Sequence, residues 1–480
     1  QVMRAATKRH RHLVVLLGLL VGAVSGVAEA GPGEIQFREL YKELVETNTT
    51  LSVGSCTLAA ERMAAHLKAA GFEAENLVLF TVPEHPKEGG LVAIYPAKNA
   101  TRKPMLLLAH LDVVEAKRED WVRDPFTLIE ENGNFYARGA LDDKAEAAIW
   151  VDTMVRLRQE KFQPRRTIKL ALTCGEETSG AFDSADWLST HQRELIDAEF
   201  ALNEGANGEL DAEGHRLAME IQAGEKMPQN FQLEVTNPGG HSSRPVKNNA
   251  IYHLAGALKR IEPYEFPAQF TDGNRAYFSG MAKIEARKKH ADIAAAMNKL
   301  VNDPADFAAI AKVSSQNSTW NATLRTTCIA TMLNAGHATN ALPQRARANI
   351  NCRIFPGVAQ ETVRAKLEEL VADTEVKVTT LETRGPSSPP PPLARNIMDP
   401  IEKLTAQFYP GVPVLPILQP GATDGQFLNA VGIPTYGFEP IFLGADLGNI
   451  HGLNEYVSVD SLLKGREFLY QLVKIYAQQR

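Results

Sequence analysis

Between residues 34 and 204 the chain alternates helical stretches with short, continuously apolar ones. Residues 57–70 place apolar side chains at helical spacing and stop at Gly71, a residue suited to the left-handed turn that closes a helix. Residues 144–156 and 181–188 read as helices too, whereas 91–95, 105–109, 167–173 and 200–202 read as strands buried on both faces. Strand–helix alternation of this kind predicts an α/β domain around a mostly parallel sheet. In such a sheet ligands bind outside the carboxyl ends of the strands.

The texture changes after about His215. Residues 217–223 and 231–235 alternate like half-exposed strands, 248–260 is an amphipathic helix, 346–355 a strand, 359–371 a helix and 376–381 a strand. This pattern predicts a second, α+β unit with one antiparallel sheet and two helices on one face. Residues 291–300 and 304–312 add further helix. The run from Gly385 through Pro392 admits neither helix nor central strand and reads as a linker. Residues 434–438 and the loop at His451 then return to the first style. The expected organisation is a domain formed by 31–214 and 384–480, interrupted by a lid of 215–383.

Length agrees, since 480 residues exceed one ordinary core. The apolar fraction of 44% is that of a globular protein, and a net charge of −6 gives no basic footprint for nucleic acid. The first thirty residues differ from the rest. Arg4, Lys8, Arg9 and Arg11 precede an apolar stretch from Leu13 to Val27, and Ala28-Glu29-Ala30 reads as a cleavage site. That is the form of a secretory signal peptide, too short for a spanning helix, so an exported (periplasmic or secreted) chain without a lasting membrane anchor is expected. Four cysteines are too few to be a disulfide scaffold. Cys174 reads as a buried strand residue, and pairing of Cys328 with Cys352 depends on whether their strands are neighbours.

Five loops carry chemistry, and each follows or joins an expected strand end. They hold His110-Leu111-Asp112, Asp142-Asp143, Glu176-Glu177, Asn203-Glu204-Gly205 and His451. Two divalent ions that share a carboxylate activate water near neutral pH, and zinc suits mixed imidazole and carboxylate donors. His110 and His451 supply imidazoles, and Asp142, Glu177 and Glu204 supply carboxylates. Asp112 is spaced to orient the His110 ring. Glu176 is the candidate general base. Singly, each has a plainer explanation: Asp142 or Asp143 caps the helix that starts at Lys144, and His451 is a loop histidine. Their joint occurrence is what points to a two-metal hydrolase.

Taken in order, the five loops resemble the M20 family of zinc metallopeptidases, which includes aminoacylase-1, carboxypeptidase G2 and carboxypeptidase S. The resemblance implies a zinc-exopeptidase-type α/β catalytic domain with an inserted α+β lid that serves dimerisation. It assigns His110 and Glu204 to one zinc, Glu177 and His451 to the other, and Asp142 to both; cobalt and manganese remain alternatives. It makes Asp112 the orienting residue and Glu176 the proton shuttle, and expects a cis bond between Asp142 and Asp143. Within Gly239-Gly240-His241-Ser242-Ser243, His241 matches a lid residue that reaches a neighbouring subunit's site as an oxyanion donor. Asn340, Arg353, Gly421 and Thr423 match substrate-contacting positions, Arg353 as a bidentate carboxylate partner. The sequence departs from the family where Lys144 is followed by Ala145-Glu146 instead of glycines.

The implied activity is hydrolysis of an amide near a free carboxylate, in small peptides or N-acyl amino acids, by a homodimer assembled through the lid. A non-catalytic ligand-binding or assembly relative of the same fold would have lost a ligand or the base, and all seven positions are filled. No G-x-S-x-G or H-E-x-x-H motif offers another hydrolase.

Overall fold

A computed structural model describes residues 31–178, 182–382 and 385–480. The expected signal peptide, the first residue of the helix expected at 181–188 and the boundary expected at 383–384 lie outside the described residues.

The apolar runs form one ten-stranded mixed sheet. In chain order its strands are β1 (Leu77–Val82), β2 (His85–Tyr95), β3 (Met105–His110), β4 (Ile168–Thr173), β5 (Phe200–Asn203), β6 (Gly208–Leu210) and β7 (Arg216–Glu225). After the lid the sheet resumes with β12 (Val414–Gln419), β13 (Thr435–Gly437) and β14 (Phe442–Leu443). The spatial order is β1-β2-β4-β3-β5-β13-β7-β6-β14, with β12 added on β7. Its centre, β4-β3-β5-β13, is parallel. Every residue of β3 and β4 is buried, as their largely apolar sequences require, and Lys169 within β4 is accommodated by donating to the carbonyls of Glu194 and Asp197 at 2.9 Å each. The helices Glu34–Glu46, Cys56–Ala69, Lys144–Gln159 and Val459–Gln478 contribute to the main core.

The lid is a four-stranded antiparallel sheet of β8 (Met227–Thr236), β9 (Thr327–Ala335), β10 (Arg345–Ile354) and β11 (Lys377–Thr380), ordered β9-β10-β8-β11. The helices Ala250–Ile261 and Gln360–Val371 pack on it and share its own core. The expected boundary at His215 needs correction. The strand from Arg216 to Glu225 hydrogen-bonds to β6, β12 and β13 in the large sheet, so the crossing into the lid falls at Lys226.

The helices Asp272–Arg287, Ala291–Asn302 and Phe307–Gln316 likewise pack at the edge of the large sheet, in a core that includes Ala218 and Leu415. The first of these was not expected, because Gly273 and Gly280 obscure its pattern. Gly280 has a packing reason: a Cβ there would stand 2.2 Å from Leu415 Cδ2. No described helix is long and apolar enough to cross a membrane.

All four cysteines are paired. Cys328 and Cys352 lie opposite each other on β9 and β10 and form one disulfide. Cys174, buried just past β4, forms a second with Cys56 at the start of the helix Cys56–Ala69, a pairing with no local signal.

Candidate metal centre

The carboxyl ends of β3, β4 and β5 deliver His110, the Cys174-to-Glu177 loop and Glu204 to one place, as a parallel sheet dictates. Asp142 arrives on the turn before the helix Lys144–Gln159, and His451 on a loop near the far end of the chain. The two oxygens of Asp142 face different imidazoles. Oδ1 lies 3.1 Å from His110 Nε2 and Oδ2 lies 3.1 Å from His451 Nε2. Glu204 Oε1 is 3.6 Å from the first ring and Glu177 Oε1 is 2.8 Å from the second. The bond between Asp142 and Asp143 is cis.

Charge follows from this crowding. Burial works against a proton on His110, but Glu204, Asp112 and Asp142 outweigh it and raise the ring well above its ordinary value. Hydrogen bonds to Asp142 and Glu177 push His451 up to about 10. Burial works to raise Asp142 as well, yet the two imidazoles hold its carboxyl below the usual range. Glu204 and Glu177 are raised, first by burial and then by Asp142. Two nitrogens and two carboxylates gathered around one shared carboxylate are a donor set that wants added positive charge, and groups of these residues bring their donor atoms within 4.8 Å of one another.

Asp112 acts more broadly than its spacing suggests. Its main-chain oxygen, not its carboxylate, is closest to His110 Nδ1, at 3.0 Å against 3.6 Å. The carboxylate instead accepts the backbone N–H groups of Gly175 (2.8 Å), Glu176 (3.3 Å) and Glu177 (2.9 Å). One aspartate therefore fixes both the imidazole and the loop that carries the candidate base. Glu176 is buried, and its carboxylate groups with His110 and Glu204.

Sequence reasoning missed Glu455, although it closes the His451 loop. This carboxylate, 1% exposed, accepts from the backbone of Leu141 (2.9 Å), Asp142 (3.0 Å) and Gly139 (3.0 Å) and from Arg138 Nη1 (2.8 Å). It ties the loop of one imidazole to the loop of the shared aspartate. Nothing in its local sequence marks it beyond four residues' separation from His451.

The other expected residues divide. A cleft of about 790 Å³ is lined by Glu176, Glu177 and His451 on one side and by Asn230, Asn351 and Arg353 from the lid on the other. Gly421 lines it as well. Thr423 does not: it is buried, and its N–H and hydroxyl both bond to Glu225 (2.7 and 3.0 Å), so it braces the loop instead of meeting a ligand. His241 and Asn340 sit together on the two-stranded pairing of Gly240–His241 with Ala341–Leu342. Both are exposed, and neither lines the cleft of its own chain.

The profile of Peptidase family M20/M25/M40 matches residues 106–475. The chain belongs to this family. It is a hydrolytic enzyme of the metallopeptidase and amidohydrolase kind. A human relative, N-fatty-acyl-amino acid synthase/hydrolase PM20D1, is 30% identical over 380 residues, spanning 78% of this chain and 74% of that protein. Among solved structures, an M20 family metallo-carboxypeptidase from Sulfolobus solfataricus superposes with a TM-score of 0.69 at 18% identity, over 92% of this chain and 99% of that one. The YXEP protein of Bacillus subtilis, described as a dinuclear metal binding peptidase, gives a TM-score of 0.56 at 13% identity, over 92% and 97%. M20 enzymes are generally dinuclear, and the donor set around Asp142 fits that requirement.

Proposed function

We propose that this protein is an exported dizinc amidohydrolase that cleaves the amide bond of small peptides or N-acyl amino acids beside a free carboxylate. The observation that carries this reading is the two-sided cleft, with the shared-aspartate donor set and Glu176 on one wall and Arg353 on the other. The names of the human relative and the Sulfolobus neighbour both describe substrates with an amide next to a carboxylate, which supports it.

His110, Asp142 and Glu204 would hold one ion, and His451, Asp142 and Glu177 the other. Two such ions supply Lewis acidity and lower the pKa of the attacking water. Arg353 takes the substrate carboxylate, which sets the scissile carbonyl at a fixed distance from Glu176. Glu176 removes a proton from the water as its oxygen attacks the carbonyl carbon, then returns that proton to the leaving nitrogen. Asp112 holds Glu176 in place through the loop N–H groups.

His241 serves as the oxyanion donor in the site of a second copy, since it is exposed and remote from the lining of its own cleft. The outer strand of the lid, β9, supports pairing of two copies: it is an edge strand with Ile329, Met332 and Leu333 each about two-thirds exposed or more. Export is supported by the pairing of all four cysteines, which persists in oxidising compartments.

The first test is metal content of the purified protein alongside hydrolysis of a panel of dipeptides and N-acyl amino acids. Two zinc ions per chain and chelator-sensitive cleavage are expected. Absence of bound metal, with no rescue by zinc or cobalt, overturns the proposal. Glu176→Ala is expected to keep both metals while turnover falls about 10²–10⁴-fold. Mixing inactive Glu176→Ala with inactive His241→Ala tests the shared site: exchange into mixed dimers restores about a quarter of wild-type activity if His241 acts across the interface. No recovery after confirmed exchange sinks that role.

A further inference from the structure

The family pattern has glycine where this chain has Glu146, and the structure shows where that extra carboxylate goes. Asp143, Glu146 and Glu439 bring one carboxylate oxygen each within 4.8 Å of one another. They are 0%, 0% and 6% exposed. Asp143 follows the shared aspartate, Glu146 lies in the first turn of the helix Lys144–Gln159, and Glu439 follows β13. Two segments distant in sequence therefore meet through three like-charged groups in a nearly dry interior.

Their hydrogen bonding leaves oxygens over. Asp143 Oδ2 accepts the backbone N–H of His110 at 3.1 Å, and Glu439 Oε2 accepts Asn207 Nδ2 at 2.9 Å. Asp143 Oδ1 and both oxygens of Glu146 are buried without a hydrogen-bond partner. Among the described residues no lysine or arginine pairs with any of the three. Lys144, the nearest cation in sequence, turns away to the carbonyl of Thr47 at 2.7 Å. One helix N-terminus favours one negative charge by a modest amount, not three. Three carboxylates this close in low dielectric need a cation among them or must share protons.

We propose that Asp143, Glu146 and Glu439 form a third cation site, taking one hard divalent ion of the calcium class beside the hydrolytic pair. The donors are all oxygen, with no nitrogen or sulfur to favour zinc. Asp143 Oδ1 and both oxygens of Glu146 are free of hydrogen bonds, and with Glu439 they offer calcium, which accepts irregular all-oxygen sets, a better match than magnesium, which demands a near-ideal octahedron and keeps several waters. The ion has a positioning role: it crosslinks the shared-aspartate turn, the helix that follows and the loop after β13. It does not touch the substrate. The inference stands apart from the proposed activity, because it concerns a different ion held by a different set of oxygens.

The test is elemental analysis of the purified full-length protein after exhaustive dialysis, with transition metals and calcium counted separately. About one calcium per chain is expected in addition to the transition-metal ions. Glu146→Gln and Glu439→Gln are each expected to lose the calcium while keeping the transition-metal count. Added calcium chloride should raise the Tm of the wild type and leave that of both variants unchanged. If the wild type retains no calcium or magnesium and its Tm ignores added calcium, the proposal fails and the three carboxylates share protons instead. Both of those readings come from the wild type alone, so they hold even where a variant does not fold.

Discussion

Glu455→Gln is the substitution that most sharply tests how the centre is held. Glutamine has the same shape but only one accepting oxygen, whereas Glu455 uses two. Its Oε1 takes the N–H groups of Leu141 and Asp142, and its Oε2 takes that of Gly139 and the Arg138 guanidinium. Arg138 is 3% exposed and charged, so the remaining oxygen turns toward it. The carboxamide NH₂ then faces the N–H groups of Leu141 and Asp142. Two buried donors without an acceptor cost about 1–3 kcal/mol each, and halving a buried ion pair costs about 3–5 kcal/mol. The contacts overlap, and Arg138 keeps its bond to the Gly452 carbonyl at 2.9 Å. A net loss of about 3–5 kcal/mol is therefore expected. The damage falls on the turn that carries Asp142, so metal affinity should drop about 10–100-fold as well. Denaturant unfolding of the metal-free protein reads the first effect, and competition with a chelating dye reads the second. A variant within about 1 kcal/mol of wild type, with unchanged metal affinity, would refute the claim that this carboxylate ties the two loops together.

Arg353→Ala should raise KM about 10–100-fold with a smaller change in kcat, since a charge-assisted carboxylate contact is lost in ground and transition states alike; an unchanged KM removes Arg353 from substrate binding. In the metal-free chain Asp142 and Glu177 hold the His451 proton up to about 10, so a metal must displace it, and affinity should rise with pH between 6 and 8. A flat chelator-competition profile over that range contradicts the geometry. Burial, with a contribution from Glu209, pushes the Glu220 carboxyl up to about 8 from an ordinary 4.5. The folded chain therefore keeps a proton that the unfolded chain releases, and this contribution is complete below about 4.5 and lost as pH rises through 8. Glu220→Gln should accordingly lose less Tm than wild type between pH 5 and 9; equal losses would show that Glu220 is not the group responsible.

The parts of the fold that were legible in the sequence are those whose cause is local. Largely apolar runs announced β3, β4 and β5, because strands buried on both faces leave few polar positions, Lys169 in β4 being one. Once those strands were known, His110, Glu176, Glu177 and Glu204 fell at their ends without further information. What stayed hidden depends on partners far along the chain. The strand Arg216–Glu225 has the same character whichever sheet it joins, and only β12 and β13 decide the matter. The helix Asp272–Arg287 carries Gly280 because Leu415 presses against it. Thr423 belongs to a loop that lines the cleft, yet Glu225 turns its hydroxyl inward. Cys56 finds Cys174 across 118 residues.

The position of β13 has a consequence for how the chain is made. This short strand sits in the middle of the large sheet, parallel to β5 at Thr435 opposite Ala201 and bridged to β7 at Gly437 opposite Gln222. Until residue 437 has been synthesised, the two halves of the sheet face each other across a missing strand, each with an open hydrogen-bonding edge. Open edges next to apolar faces invite pairing with other chains. A nascent chain must therefore build its entire lid while carrying a sheet that is ready to aggregate. His451 and Glu455 arrive later still, so the donor set is completed only after the most hazardous stage of folding has passed. Chains that stall or are cut before β13 should accumulate as insoluble material instead of partly active enzyme, and a folding helper would act between the third and the fifth hundred residues of synthesis.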